Sequence, residues 1–411
     1  MENLKEDLED FLKMNLESIF TLTPARPVTY FGVGAIRMIS EISKNLKSKG
    51  IDRAIIVTDP IVWQSTKVEQ YIKPALEENG IEFTIYDKVR PNPTYASCDE
   101  LANIAREFNA KVFITVGGGS HNDTAKTAAA LLKNPGKTAK DLYEKIILIN
   151  EAIPVVSINT THGTGSELDK YAVAQSDGGY KPAIAGPGLY PVFAIEDPAL
   201  TLTLPKRQTL STALDAFHHS FEAATTKTRN PYSTLLSKTA IRLIAKWLPV
   251  AANEPNNIAA RYWLMYASAI AGISFDIASL HLTHTLEHPM SALNPKTPHG
   301  IGLTAIFPAV LNVTYKIFPE LSADLLSSII PDLKGVPGEA EYAEREIEKW
   351  FASIGVPDKL TDLGFTDKDV DRLVENAITS PMTPLMAATS PVEVTKEVVR
   401  FIYERSLRPI H

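Results

Sequence analysis

Six of the nine histidines fall between Asp215 and His299: His218, His219, His281, His284, His288 and His299. Asp215 and His219 stand four apart, so on a helix they share one side, a turn apart. His284 and His288 repeat that spacing, and His299 follows in Pro298-His299-Gly300. One carboxylate with two or three imidazoles can surround a divalent transition metal. No cysteine lies near, so the donors are nitrogen and oxygen, which suits Fe(II), Zn(II), Ni(II) or Co(II). The competing reading is a surface Asp/His pair. Ala213, Leu214, Ala216 and Phe217 argue instead for a buried helix, where a carboxylate needs a partner or a cation.

A second group of residues suits a phosphate. Gly117-Gly118-Gly119-Ser120 follows an apolar run and opens a helical one. Backbone N–H groups and the helix dipole meet an anion at such a place, and glycines let it come close. The run is neither G-x-G-x-x-G nor a P-loop. Asp59 ends another apolar run, where an acidic residue can accept hydrogen bonds from an adenosine ribose and repel the extra phosphate of NADP. It would also serve as a plain N-cap. Asn159 through Glu167 forms a second polar, glycine-containing loop, so a dinucleotide lying across the carboxyl ends of the strands is expected.

The elements that must position these residues divide into two kinds. Apolar strands are expected at 28–31, 54–58, 83–86, 112–116 and 154–158. They alternate with helices at 35–48, 67–79, 98–108 and 121–132, which means a parallel sheet covered on both faces. After about residue 206 only helical patterns remain, near 209–226, 233–248, 258–275, 278–293, 300–318, 342–354, 367–378 and 392–407. The expected fold is an α/β N-terminal dinucleotide-binding domain with a parallel sheet, residues 1–197, followed by an all-α C-terminal metal-binding domain, residues 198–411. They join near Ala194–Pro198, with the catalytic cleft between them. Residues 1–24 read as an amphipathic helical extension, Leu4, Leu8, Phe11, Leu12 and Ile19 on one side.

The chain has 411 residues, 45% hydrophobic and 22% charged, with net charge −7. Without a basic block, nucleic acid and anionic membranes are not expected partners. The single cysteine, Cys98, excludes an internal disulfide and suits a reducing compartment. No signal-peptide pattern opens the sequence and no apolar run reaches the roughly 20 residues of a membrane helix. A cytoplasmic protein is therefore expected.

Four motifs together resemble the iron-containing (group III) alcohol dehydrogenase family, within the dehydroquinate synthase-like superfamily. Residues 117–126, Gly-Gly-Gly-Ser-His-Asn-Asp-Thr-Ala-Lys, are similar to its GGGSxxDxAK, and Thr160 to Glu167 to its TTAGTGSE. Asp215 to Ala223 looks like DALxHAxEA, and His284 to His288 with Pro298-His299-Gly300 looks like HxxxHP…PHG. The resemblance implies reversible hydride transfer between a primary alcohol, or its aldehyde, and a nicotinamide. It implies Asp215, His219, His284 and His299 as metal ligands, with Fe(II) foremost and Zn(II) or another divalent ion as alternatives. His288 would lie by the nicotinamide and relay the hydroxyl proton. NAD, with NADP possible, would meet Asp59, Gly117, Gly118, Gly119, Ser120, Asp123, Lys126, Thr160, Thr161 and Thr164. A homodimer or larger homo-oligomer is expected. The sequence departs from the family at His162, where alanine is usual, and at Ser279 and His281, which replace glycines. Competing readings are a polyol or hydroxyacid dehydrogenase on the same fold, or a non-catalytic assembly or sensing homologue.

Overall fold

The computed structural model describes residues 27–176, 179–380 and 383–410. The expected helix at 1–24 lies outside them. The chain packs into two compact units. One comprises Ala25–Thr212 and Val250–Ala269; the other comprises Ala213–Pro249 and Ile270–His411.

The first unit carries a six-stranded sheet of β1 (Val28–Phe31), β2 (Arg53–Val57), β3 (Glu82–Tyr86), β4 (Val112–Gly117), β5 (Val155–Asn159) and β8 (Phe193–Glu196). Its order is β1-β8-β5-β4-β2-β3, and every pairing is parallel. A short antiparallel pair, β6 (Tyr171–Val173) and β7 (Ala183–Ala185), stands apart. The helices between strands are α1 (Ile39–Ser48), α2 (Pro60–Thr66), α3 (Glu69–Glu78), α4 (Tyr95–Phe108), α5 (Gly119–Lys133) and α6 (Ala139–Glu144).

The apolar runs of β2, β4 and β5 are buried on both faces, as a parallel sheet under helices requires. Alternate residues feed different cores. Ile55, Val57 and Phe113 join Leu101, Ala128 and Leu131 of α4 and α5. Ala54, Ile56, Ile114 and Val116 join Ile42, Leu46, Ile72 and Leu76 of α1 and α3. Each such isoleucine or valine contributes ~1.5–3 kcal/mol by leaving water. The chain goes outward from β2 to β3, then returns to β4 on the other side of β2 before continuing to β5. The carboxyl ends of β2 and β4 thus flank a switch in direction, the place where open α/β sheets take their ligands, and Asp59 and Gly117 stand there.

The segment expected as the domain joint is strand β8, inserted between β1 and β5. Its apolar run, Val192-Phe193-Ala194-Ile195, is closed in by Pro191 and by Glu196-Asp197-Pro198, punctuation that reads as a connection when the neighbouring strands are not in view.

The remaining helices are α7 (Lys206–Thr225), α8 (Pro231–Asn253), α9 (Ile258–Ala278), α10 (Leu282–Leu293), α11 (His299–Tyr315), α12 (Pro319–Leu326), α13 (Ala340–Ser353), α14 (Val370–Thr379), α15 (Thr383–Thr389) and α16 (Lys396–Arg405). No strand follows residue 206 among the described residues. The helix expected from 278 starts later, at Leu282, because Ser279 takes a left-handed φ of 74° and His281 an extended φ of −148°. The serine at 279 bears a backbone cost of ~1–2 kcal/mol that a glycine would not. No single described helix is long and apolar enough to cross a membrane.

Candidate metal centre and cofactor loops

The second unit gathers the histidine cluster. Asp215 and His219 lie a turn apart on α7, His284 near the start of α10, and His299 is the first residue of α11. Pro298 caps α11 with a φ of −66°, so the imidazole leaves the helix from a fixed position. Three imidazoles converge on one oxygen. The Nε2 atoms of His219, His284 and His299 lie 3.5, 3.6 and 3.8 Å from Asp215 Oδ1. Donor atoms of Asp215, His284 and His299 all fall within 4.8 Å of one another. The His219 and His284 rings stack with centroids 4.7 Å apart.

Asp215, His219 and His284 are buried, whereas His288 and His299 are partly exposed. Asp215 Oδ1 and His284 Nε2 are buried with no hydrogen-bond partner. Such orphaned polar atoms are costly, and a cation between them removes the cost. The residues present therefore fit a divalent metal with nitrogen and oxygen donors. Burial opposes ionisation of Asp215, yet the imidazoles of His219, His284 and His299 beside it outweigh that and hold the carboxyl well below its usual range. His219 is pushed down to about 4, chiefly by burial, so it is neutral near pH 7 with a lone pair to offer. His284 is raised to about 9; burial lowers it, but Glu222 and Asp215 prevail.

Two carboxylates orient the imidazoles. His284 Nδ1 is hydrogen-bonded to Glu222 Oε2, and His299 Nδ1 to Glu287 Oε2. With Nδ1 engaged by a carboxylate, Nε2 is the ring nitrogen each would turn to a cation on Asp215's side of the cluster. Glu222 also accepts the Thr283 N–H, and Glu287 the Ser291 hydroxyl. Sequence reasoning missed both glutamates. The available signal was their place, three residues after His219 and His284 in buried helices, where an acidic side chain needs a reason. His218 faces away, hydrogen-bonded to Thr304 at 3.0 Å. His281 Nε2 pairs with Thr225 Oγ1 at 2.9 Å, while its Nδ1 lies 3.6 Å from Glu222. His288 stays near the cluster, its ring 5.8 Å from that of His299.

In the first unit, the residues expected at the cofactor gather where β2, β4 and β5 end. Asp59 both caps α2 and holds a histidine. Its Oδ1 accepts Ile61 N–H at 2.8 Å and Val62 N–H at 3.1 Å, and its Oδ2 meets His121 Nε2 at 2.9 Å. A Cβ at Gly117 would lie 2.1 Å from His121 Nδ1, one at Gly118 2.7 Å from Thr161 Cγ2, and one at Gly119 2.7 Å from Thr164 Cγ2. Gly117 also takes a φ of 155°. The glycines thus let the two loops interlock. α5 begins at Gly119 with no side-chain cap on its first turn, which fits a pyrophosphate at that helix N-terminus. Thr160 is buried and its N–H donates to Gly117 O at 3.1 Å. Ser120 lies in the first turn, its carbonyl accepting the Thr124 hydroxyl.

Asp123 and Lys126 have internal partners. Asp123 Oδ1 accepts the Ser166 hydroxyl at 3.3 Å. Lys126 is fully buried, its ammonium held by Asp169 Oδ1, Asp169 O and Tyr171 O at 2.8–3.0 Å. Its three protons are engaged there, so it ties the loop after β5 to β6.

Residues 27–198 match the family described as iron-containing alcohol dehydrogenase, and residues 209–407 match its C-terminal part. The chain is 47% identical to the long-chain primary alcohol dehydrogenase AdhA of Thermoanaerobacter ethanolicus, over 96% of this chain and 99% of that one. It resembles the solved structure of an archaeal halo-thermophilic alcohol dehydrogenase from a Red Sea brine pool, with a TM-score of 0.88 and 26% identity, over 96% and 100% of the two chains. It also resembles an NADH-dependent butanol dehydrogenase of Thermotoga maritima, with a TM-score of 0.84 and 25% identity, over 95% and 99%. With the candidate metal centre and the interlocked glycine loops, these likenesses place the chain in the iron-containing alcohol dehydrogenase family, as an NAD-linked oxidoreductase acting on alcohols.

Proposed function

We propose that the enzyme interconverts primary alcohols and aldehydes, favouring alkyl substrates, with Asp215, His219, His284 and His299 as the metal ligands. The convergence of three Nε2 atoms on the buried, unpartnered Asp215 Oδ1 carries the ligand assignment. The AdhA relative supports the substrate class. When bound, Fe(II) or another divalent ion supplies Lewis acidity to the substrate oxygen, and NAD supplies the hydride acceptor.

The protein's own residues do the rest. Asp215 provides the one negative charge among the four donors, so the set leaves an anionic oxygen stabilised. Glu222 and Glu287 hold His284 and His299 in the tautomers that donate through Nε2. His288, partly exposed beside His299, passes the hydroxyl proton toward solvent. Gly117 to Ser120, Thr161 and Thr164 form the dinucleotide cradle, and Asp59 discriminates against NADP. Cys98, buried and unbridged, suits a cytoplasmic setting. A homodimer or larger assembly remains the expected state.

The test is elemental analysis of anaerobically purified protein, with NADH formation measured on ethanol, hexanol, decanol, diols and glycerol. Light scattering reads the assembly. One metal per chain, lost in Asp215→Asn together with turnover, is the expected result. Full metal occupancy in Asp215→Asn overturns the ligand assignment, and a preference for glycerol or diols overturns the substrate class.

A further inference from the structure

His162, in the loop after β5, is 0% exposed and its contacts fix its protonation. Arg261 Nη1 lies 3.2 Å from His162 Nε2. A guanidinium only donates, so Nε2 is the acceptor and the proton sits on Nδ1. That proton points at Thr212 Oγ1, 3.2 Å away, whose own hydroxyl donates to Gln208 O at 2.9 Å. The order Arg261 Nη1 to His162 Nε2, then His162 Nδ1 to Thr212 Oγ1, then Thr212 Oγ1 to Gln208 O gives each of those three links a donor and an acceptor.

Arg261 is also 0% exposed, and no carboxylate pairs with it among the described residues. Its remaining acceptors are Thr209 Oγ1 at 2.7 Å and Pro255 O at 3.1 Å, and Nη2 has none. A buried charge with so few acceptors depends on each of them. His162 therefore joins three segments of one unit: its own loop, the first turns of α7, and the start of α9. The next residue, Gly163, seats the loop directly on α7. A Cβ there would lie 2.5 Å from Thr212 O. The flanking residues Thr161 and Thr164 meet Gly118 and Gly119 on the loop's other side.

We propose that His162 is a positioning residue for the dinucleotide: clamped between Arg261 and Thr212, it holds Thr161 and Thr164 against the glycine run and so sets the shape of the cradle. It touches no reacting atom. The alanine usual in the family cannot accept from Arg261, so in this chain the loop is held by a polar clamp.

The inference rests on the reading that these two loops bind NAD, and the experiment separates the two. NAD affinity is measured by calorimetry on wild type, His162→Ala and His162→Gln, each with its metal content recorded. The Gln amide oxygen can replace Nε2 as acceptor for Arg261; Ala cannot. The dissociation constant of His162→Ala is expected to rise about tenfold, the size of one hydrogen bond to a charged group. His162→Gln recovers most of it. KM for NAD rises in step, and turnover at saturating NAD changes little. An alanine variant that binds NAD within about twofold of wild type overturns the clamp. No NAD binding by wild type overturns the assignment of the loops instead. Should the alanine variant not fold, ¹⁵N-histidine NMR of the wild-type protein decides. A neutral, Nδ1-protonated His162 between about pH 5 and 8 is required, and a protonated or Nε2–H form refutes it.

Discussion

Glu287→Gln isolates the carboxylate behind His299 with almost no change of shape. Glu287 uses both oxygens, Oε2 on His299 Nδ1 and Oε1 on the Ser291 hydroxyl. It cannot swing away, because the backbone of Gly302 passes so close that a Cβ there would be 2.9 Å from Oε1. A glutamine would keep its carbonyl toward His299 and turn its NH₂ toward Ser291, whose hydroxyl then accepts. The hydrogen bond survives and the charge does not. A bond to a charged partner contributes ~1.5–3 kcal/mol and a neutral one ~0.5–1.5 kcal/mol. The loss is therefore ~1–1.5 kcal/mol, or about tenfold in metal affinity, at the lower end of the 10–100-fold effect expected for such supporting groups. The assay is anaerobic competition of Fe(II) or Zn(II) against a chelator of known affinity, with circular dichroism to confirm the fold. Metal affinity within about twofold of wild type would show that Glu287 only fills space beneath α11.

Asp59→Asn keeps the cap on α2, since asparagine caps as well as aspartate, and removes the charge. Two unit charges about 4 Å apart repel by ~1 kcal/mol in water, so the NADP-to-NAD ratio of kcat/KM should rise roughly fivefold; an unmoved ratio leaves Asp59 a cap and a partner of His121 alone. His288→Gln should retain the metal while lowering turnover and shifting its pH profile, and an unchanged profile removes the relay role. Burial, with Arg261 adding to it, lowers His162 from 6.5 to about 3. Between those values the unfolded chain binds a proton that the folded one refuses. Stability is then lost as pH falls below about 6.5, by up to ~1.4 kcal/mol per pH unit, and is fully present above it. Urea midpoints across that range should fall more steeply in wild type than in His162→Gln; parallel curves would contradict the neutral clamp.

Much of this enzyme is written in local patterns. The four-residue spacing of Asp215 and His219 depends only on the helix repeat, and the apolar strands ending in glycine-rich turns depend only on burial on two faces. Both were legible in the sequence, as was the family. Strand β8 was not, because a short apolar run set between Pro191 and Glu196-Asp197-Pro198 becomes a strand only when β1 and β5 offer ladders on either side. Neither was the engagement of Lys126, since nothing in its helix announces Asp169, 43 positions away. The sequence alone determined that six histidines and an aspartate share one stretch. The tertiary structure decided that His219, His284 and His299 meet at Asp215 Oδ1 while His218 and His281 turn to Thr304 and Thr225. It also decided that Glu222 and Glu287 stand behind two of them. A helix sets which side chains share its face, but only the packing of α7, α10 and α11 sets which faces meet.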